Sequence, residues 1–180
     1  MFENFDYGTF AMILAAGGIA AYLYHLNKKE KSDQFAALYK QYKKLTPEKL
    51  DAVPDAELVR AVAVNVLAKA SRRQPDVYQL IPTLSHGQVA IYSVWLYCHE
   101  LGADAPSKWL KTATGRFAAV AVDGFLLIGA DKTAAALEAV VEDPDDDARV
   151  TALKEAVAAE RPLDLAVTYI RDNREEFLDS

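Results

Sequence analysis

Between Asp6 and Lys28 the chain carries no charged side chain: the run is YGTFAMILAAGGIAAYLYHLN, Tyr7 to Asn27. A helix rises about 1.5 Å per residue, so roughly 20 residues cross the ~30 Å hydrocarbon layer of a bilayer. The flanks agree with a span. Phe2, Phe5, Tyr7 and Phe10 crowd one end and Tyr22 and Tyr24 the other, where amphipathic rings settle at headgroup level. Lys28, Lys29 and Lys31 follow at once, while the first six residues hold only Glu3 and Asp6. The excess of Lys predicts a single-pass span in the cell membrane, with everything after it in the cytoplasm. A cleaved signal peptide would need positive charge ahead of the apolar stretch, and no Lys or Arg precedes Lys28.

The alternative is a cytoplasmic protein whose first helix is buried on every side, within the fold or in a dimer. Gly8, Thr9, Gly17, Gly18 and His25 dilute the run enough to allow it. A domain of this size gives such a central helix little room, so residues 1–27 are expected to anchor the chain in membrane lipid. Ala16 with Ala20, and Gly17 with Ala21, have the spacing of small residues that lets helices approach in a bilayer, a route to a homo-oligomer. An Ala-rich helix also produces that spacing by chance.

Residues 28–45, KKEKSDQFAALYKQYKKL, set Phe35, Leu38, Tyr39, Tyr42 and Leu45 at helical intervals among Lys40, Lys43 and Lys44. This predicts a basic amphipathic helix, either resting on anionic lipid or docked on its own domain. The charge divides accordingly: residues 1–50 hold seven Lys against five acids, and residues 51–180 hold 13 bases against 21 acids.

Residues 46–180 read as one all-α domain, a compact multi-helix bundle. Thr46-Pro47-Glu48 is a helix start with proline in the first turn. Pro54-Asp55 opens a helix with Leu58, Val59, Val62, Val66 and Leu67 on one side. Ser85-His86-Gly87-Gln88 has capping-box form and starts a helix with Val89, Tyr92, Trp95 and Leu96 inward, stopping near Gly102. Asp104 to Lys111 predicts a short helix and Gly115 to Ile128 a buried one. Asp131 is expected to cap TAAALEAVV, Pro144 to open a helix reaching Ala159, and Pro162 to begin the last, with Leu165, Tyr169, Ile170 and Phe177. No alternating segment is long enough to seed a sheet.

Composition narrows the chemistry. Of 180 residues 52% are apolar, 26% are charged, and the net charge is −6, so direct binding to nucleic acid is not expected. One cysteine and three histidines leave neither a disulfide framework nor a thiolate metal site. Cys98 and His99 are adjacent and diverge by about 100° on a helix, so they form no thiol–imidazole pair; Cys98 is expected as a small buried hydrophobe. Asp143, Asp145, Asp146 and Asp147 do not make a calcium loop, because the sixth and twelfth positions from Asp143 are Ala148 and Lys154. No catalytic residue, metal or cofactor is expected. Asp123, in AVAVDGFLLIGA, is read as a carboxylate inside an apolar helix that needs a hydrogen-bonding partner.

The order of features also resembles the bacterial DNA-mimic protein family over about residues 46–180: the Glu57–Lys69 helix, the Leu84–Gly102 helix, Trp109, the Ala121–Val140 stretch and the terminal Tyr169–Leu178. The matching positions are core and turn residues, so no binding residue is carried over. The resemblance implies an all-α domain that binds proteins rather than catalysing, presenting a DNA-like charge to a DNA-binding protein. Residues 142–179 hold twelve acids and five bases, and the acids named for such contact are Asp143, Asp145, Asp146, Asp147, Glu175, Glu176 and Asp179. The function expected is therefore a membrane-anchored, non-enzymatic module with an unidentified protein partner, or alternatively a soluble acidic mimic.

Overall fold

The computed structural model describes residues 36–70, 76–103 and 105–179. The anchor expected over residues 1–27, and Lys28, Lys29 and Lys31, lie outside the described residues. The chain divides into two units, Met1–Lys40 and Gln41–Ser180. Of the first, residues 36–40 are described and are helical; α1 covers residues 36–42.

The second unit is all-helical, with no strand among the described residues. It runs α2 (Pro47–Ala52), α3 (Asp55–Lys69), a 3-10 turn (Val77–Thr83), α4 (His86–Ala103), the single turn α5 (Pro106–Trp109), a 3-10 turn (Ala113–Phe117), α6 (Ala118–Leu127), α7 (Asp131–Glu142), α8 (Asp147–Glu160), α9 (Pro162–Asp172) and a last 3-10 turn (Arg174–Phe177). Thr46 caps α2 by accepting from the Lys49 amide at 3.4 Å, with Pro47 in the first turn. The capping box closes in both directions: the Gln88 amide donates to Ser85 Oγ at 3.1 Å and the Ser85 amide to Gln88 Oε1 at 3.2 Å.

α3 is buried continuously from Ala61 to Val66, so its middle is surrounded on all sides. It packs on α4, which also carries α6 and α9; α6, α7 and α8 then follow as packed neighbours. A Cβ at Gly124 would lie 3.0 Å from the Ala90 carbonyl oxygen, so α6 crosses α4 almost at backbone contact. Tyr97, Phe125 and Phe177 are the largest wholly buried side chains. Their burial removes ~2–3 kcal/mol worth of apolar surface each from water.

Four helix starts differ from the sequence reading; the short helix expected over Asp104 to Lys111 is the single turn Pro106–Trp109. The buried helix expected from Gly115 begins at Ala118, because residues 113–117 close first into a 3-10 turn with Thr112 Oγ1 accepting from the Thr114 amide. Pro144 lies in a turn, and α8 starts at Asp147 because the Asp146 carboxylate accepts from the amides of Ala148 (2.8 Å) and Arg149 (3.3 Å). Asp131 does not cap α7: it is already within the first turn. Glu160, arriving from the far end of α8, accepts instead from the Lys132 and Thr133 amides (3.0 and 2.7 Å) and from the Thr133 hydroxyl (2.7 Å).

Candidate functional site

The sequence FLLIGAD makes the turn that builds the site. Gly129, at φ +81°, takes the left-handed conformation that side chains resist. Its amide donates to the Leu126 carbonyl at 3.0 Å and that of Ala130 to the Phe125 carbonyl at 2.8 Å, which ends α6 sharply. α7 then packs on α6, its start held by Glu160. α6 buries Ala118, Ala121, Val122 and Phe125; α7 buries Thr133, Ala134, Leu137 and Val140. At about 100° per residue, the positions between those stripes face outward: Ala119, Asp123 and Leu126 on α6, Glu138, Val141 and Glu142 on α7.

An open hollow of about 440 Å³ lies between the two helices. Ala118, Ala119, Val122 and Val141 give it apolar walls, and Asp123, Glu138 and Glu142 its polar groups. Val141 is 40% exposed and Leu126, one turn beyond Val122, is 51% exposed. Glu142 shares Arg149, whose guanidinium lies 3.1 Å from its carboxylate, 3.4 Å from Asp146 and 2.6 Å from the Ala139 carbonyl. Asp123 and Glu138 meet no cation among the described residues. Over residues 118–160 ten acids face three bases, Lys132, Arg149 and Lys154.

Asp123 is thus exposed, not the inward carboxylate its apolar neighbours predicted. The buried stripe of α6 passes through Val122, Gly124 and Phe125 and leaves position 123 outside.

The acids named from the sequence do not act alike. Asp143, Asp145, Asp147 and Glu175 are exposed. Asp146 caps α8. Glu176 is tied to the start of α4: its carboxylate accepts from the Gly87 amide at 2.6 Å and the Tyr169 hydroxyl at 2.8 Å, and its carbonyl accepts from Ser85 Oγ at 2.6 Å. Asp179 accepts from the Leu45 amide at 2.8 Å and from Asn65 Nδ2 at 2.6 Å, and pairs with Lys69 at 2.9 Å. Burial alone would raise its carboxyl; these hydrogen bonds and the Lys69 charge outweigh that and hold it low.

Elsewhere, a second hollow of about 380 Å³ is framed by Tyr92, Leu96 and Phe117, with the Arg116–Asp76 pair (2.8 Å) beside it. The Arg116 guanidinium also covers the Tyr78 ring at 5.1 Å, so that rim satisfies itself. Cys98 is half-buried, and burial pushes its thiol up to about 12, away from thiolate chemistry. His99 instead stacks on Trp95 at 5.8 Å. Among the described residues no cluster of His, Cys, Asp or Glu is placed to hold a metal ion, and no helix is long and apolar enough to cross a membrane.

The sequence reading missed Glu138, Val141 and Leu126. The signal was the doubled apolar pairs Val140-Val141 and Leu126-Leu127: adjacent helical residues diverge by about 100°, so one member of such a pair can be left at the edge of the packed face or outside it. Comparison with known protein families, with curated proteins and with solved structures finds no match to this chain.

Proposed function

We propose that this chain is a non-enzymatic protein-interaction module, held at the cell membrane by residues 1–27 with its helical unit on the cytoplasmic side. The observation that carries the interaction reading is the hollow between α6 and α7, with apolar walls at Ala118, Ala119, Val122 and Val141, and with Leu126 exposed one turn beyond Val122 on α6. Large apolar side chains grouped on one face of a small domain commonly mark a surface that a partner covers. The tether is supported by the uncharged run Tyr7–Asn27 with Lys28, Lys29 and Lys31 behind it.

Both parts have a direct test. The full chain should pellet with membranes and resist carbonate extraction; recovery in the supernatant without detergent overturns the anchor. A photo-crosslinking residue at position 141 or 126 should give a discrete heterologous product in cells, whereas one at Leu163, 41% exposed on α9, should not. Equal labelling from all three positions, or none, overturns the interaction reading.

A second reading follows the exposed row Asp143, Asp145 and Asp147 beside Glu142: an acidic mimic that occupies the cationic surface of a DNA-binding protein, as the family resemblance implies. Its complex should weaken steeply with salt and depend on those three carboxylates. Arg149, which engages Glu142 and Asp146, interrupts the row.

A further inference from the structure

We infer that the hollow between α6 and α7 is a docking site for a basic amphipathic helix of a partner protein, its Lys or Arg side chains meeting Asp123 on one wall and Glu138 and Glu142 on the other. This rests on the interaction-module reading and adds the kind of partner.

Shape argues for a helix. Two packed helices whose axes lie about 8–10 Å apart leave a groove along their seam that accepts the apolar stripe of a third. Here that seam offers Ala119, Val122 and Val141, with Leu126 one turn along. No strand exists among the described residues, so no sheet edge competes for an extended peptide.

Charge selects which helix. Glu138 and Glu142 stand one turn apart on α7, about 6 Å, the spacing of Lys or Arg residues four apart on a helix lying alongside. An occupant of the groove takes these carboxylates out of water, which is unfavourable unless cations replace the solvent. Arg149 answers for part of Glu142 only; Asp123 and Glu138 meet no cation among the described residues. The ten acids of residues 118–160 against three bases extend the attraction beyond contact distance and steer a basic partner toward this face.

The same charges argue against other occupants. A second copy related by a two-fold axis would bring the same three carboxylates against one another. An anionic membrane surface would repel them.

The test uses the full chain in nanodiscs of zwitterionic lipid, with empty discs as reference. The probe is a fluorescent designed helix with Leu at helical spacing and Lys elsewhere; a version with Glu for each Lys is the control. Anisotropy should show the Lys helix binding and the Glu helix not. Removing the groove charges (Asp123→Asn with Glu138→Gln and Glu142→Gln) should weaken binding by about ten-fold or more. Asp143→Asn with Asp145→Asn and Asp147→Asn deletes the same number of charges off the groove and should change it by less than about two-fold. Val141→Arg should abolish binding. All these positions except Val141 are charged and exposed, so unchanged thermal melting is expected and confirms that the variants fold.

Equal weakening by the two triple variants, or equal binding of the Glu helix, overturns the inference. So does self-association of the chain that Val141→Arg removes, because the groove's occupant is then a second copy. A discrete cellular crosslink from position 141 alongside a negative peptide experiment would sink the basic helix and leave the module standing.

Discussion

Asp179 and Leu45, 134 residues apart, exchange two hydrogen bonds: the Leu45 amide donates to the Asp179 carboxylate at 2.8 Å and the Asp179 amide to the Leu45 carbonyl at 2.9 Å. The same carboxylate reaches α3 through Asn65 and Lys69. The last residues therefore fasten the beginning of the helical unit to its central helix, just where Tyr42 and Leu45 enter the core.

Loss of that clasp should be measurable. Asp179→Ala leaves the Leu45 amide unsatisfied and takes one of two acceptors from Asn65 Nδ2, so a cost of about 2 kcal/mol is expected. Asp179→Asn keeps the size and one acceptor and should cost about half as much. Denaturant titration followed by the fluorescence of Trp95 and Trp109 gives both values, and an effect below ~0.5 kcal/mol for the Ala variant contradicts the clasp.

The clasp also fixes a direction in pH. Folding holds the Asp179 carboxyl below its ordinary value of 3.8, so the unfolded chain takes up the proton first as pH falls. Its stabilisation is present in full above about pH 5 and is lost as pH drops through the lowered folded value. The acid limb of the stability profile should be shallower in Asp179→Asn than in the parent. Identical limbs would show that this carboxylate does not titrate differently in the two states.

At the alkaline end the sign reverses. Burial, assisted by Asp76, pushes the Tyr92 phenol up to about 12; burial and the hydrogen bond to Glu176 push Tyr169 up to about 12. These groups ionise more readily unfolded, so stability should hold to about pH 10 and then fall as pH rises toward the folded values. The tyrosinate absorbance of Tyr92 and Tyr169 should accordingly appear together with unfolding; if the Tyr92→Phe and Tyr169→Phe variants lose tyrosinate signal that had developed with the fold intact, the burial argument fails.

Gly87 and Glu176 form a second fastening between distant parts of the chain. A Cβ at position 87 would stand 2.7 Å from Glu176 Oε2 and 2.9 Å from the Phe177 ring, so Gly87→Ala must displace the last 3-10 turn or bury a clash. A cost of about 1–3 kcal/mol is expected, despite the better helix propensity of Ala. Glu176→Ala combined with Gly87→Ala should cost less than the sum of the two, because the first removes the nearer of the two obstacles and leaves only the Phe177 ring. Strict additivity in that cycle would refute the contact.

Much of this fold is legible in the residues. The capping box at Ser85, the Thr46-Pro47 start and the absence of period-two patterning carry local chemistry that tertiary contacts leave in place. What was not legible depends on partners far along the chain. Nothing near Asp131 says that Glu160 will cap α7, and nothing in REEFLDS distinguishes exposed Glu175 from Glu176 and Asp179, whose carboxylates turn inward. Asp123 misled for a related reason: an apolar run of ten residues on a helix has an outside, and composition does not say where. The groove was hidden in the same way, since Val141 and Leu126 look like core until one sees that Val140 and Phe125 already occupy it.

Glu160 ties stability to the proposed docking face. It stands at the carboxyl end of α8, where the helix dipole disfavours an anion, yet its carboxylate accepts from two amides and a hydroxyl at the start of α7, where the dipole favours one. Burial opposes its ionisation; the Thr133 and Lys132 hydrogen bonds and the Lys132 charge together outweigh it and hold the carboxyl low. Glu160→Ala should cost about 1 kcal/mol, the scale of a lost helix cap at a largely solvated site. Glu160→Gln, which can still accept from one amide, should cost less. Because α7 is fixed at its start by this cap and carries Glu138 and Val141 downstream, Glu160→Ala should also weaken binding of the Lys helix by a few-fold, even though residue 160 is not among those lining the groove. Amide hydrogen exchange would separate the two effects: faster exchange along the first turns of α7, with α3 unchanged, is the expected pattern. Uniformly faster exchange across α3, α4 and α7 would mean that Glu160 supports the whole fold and does not position the groove.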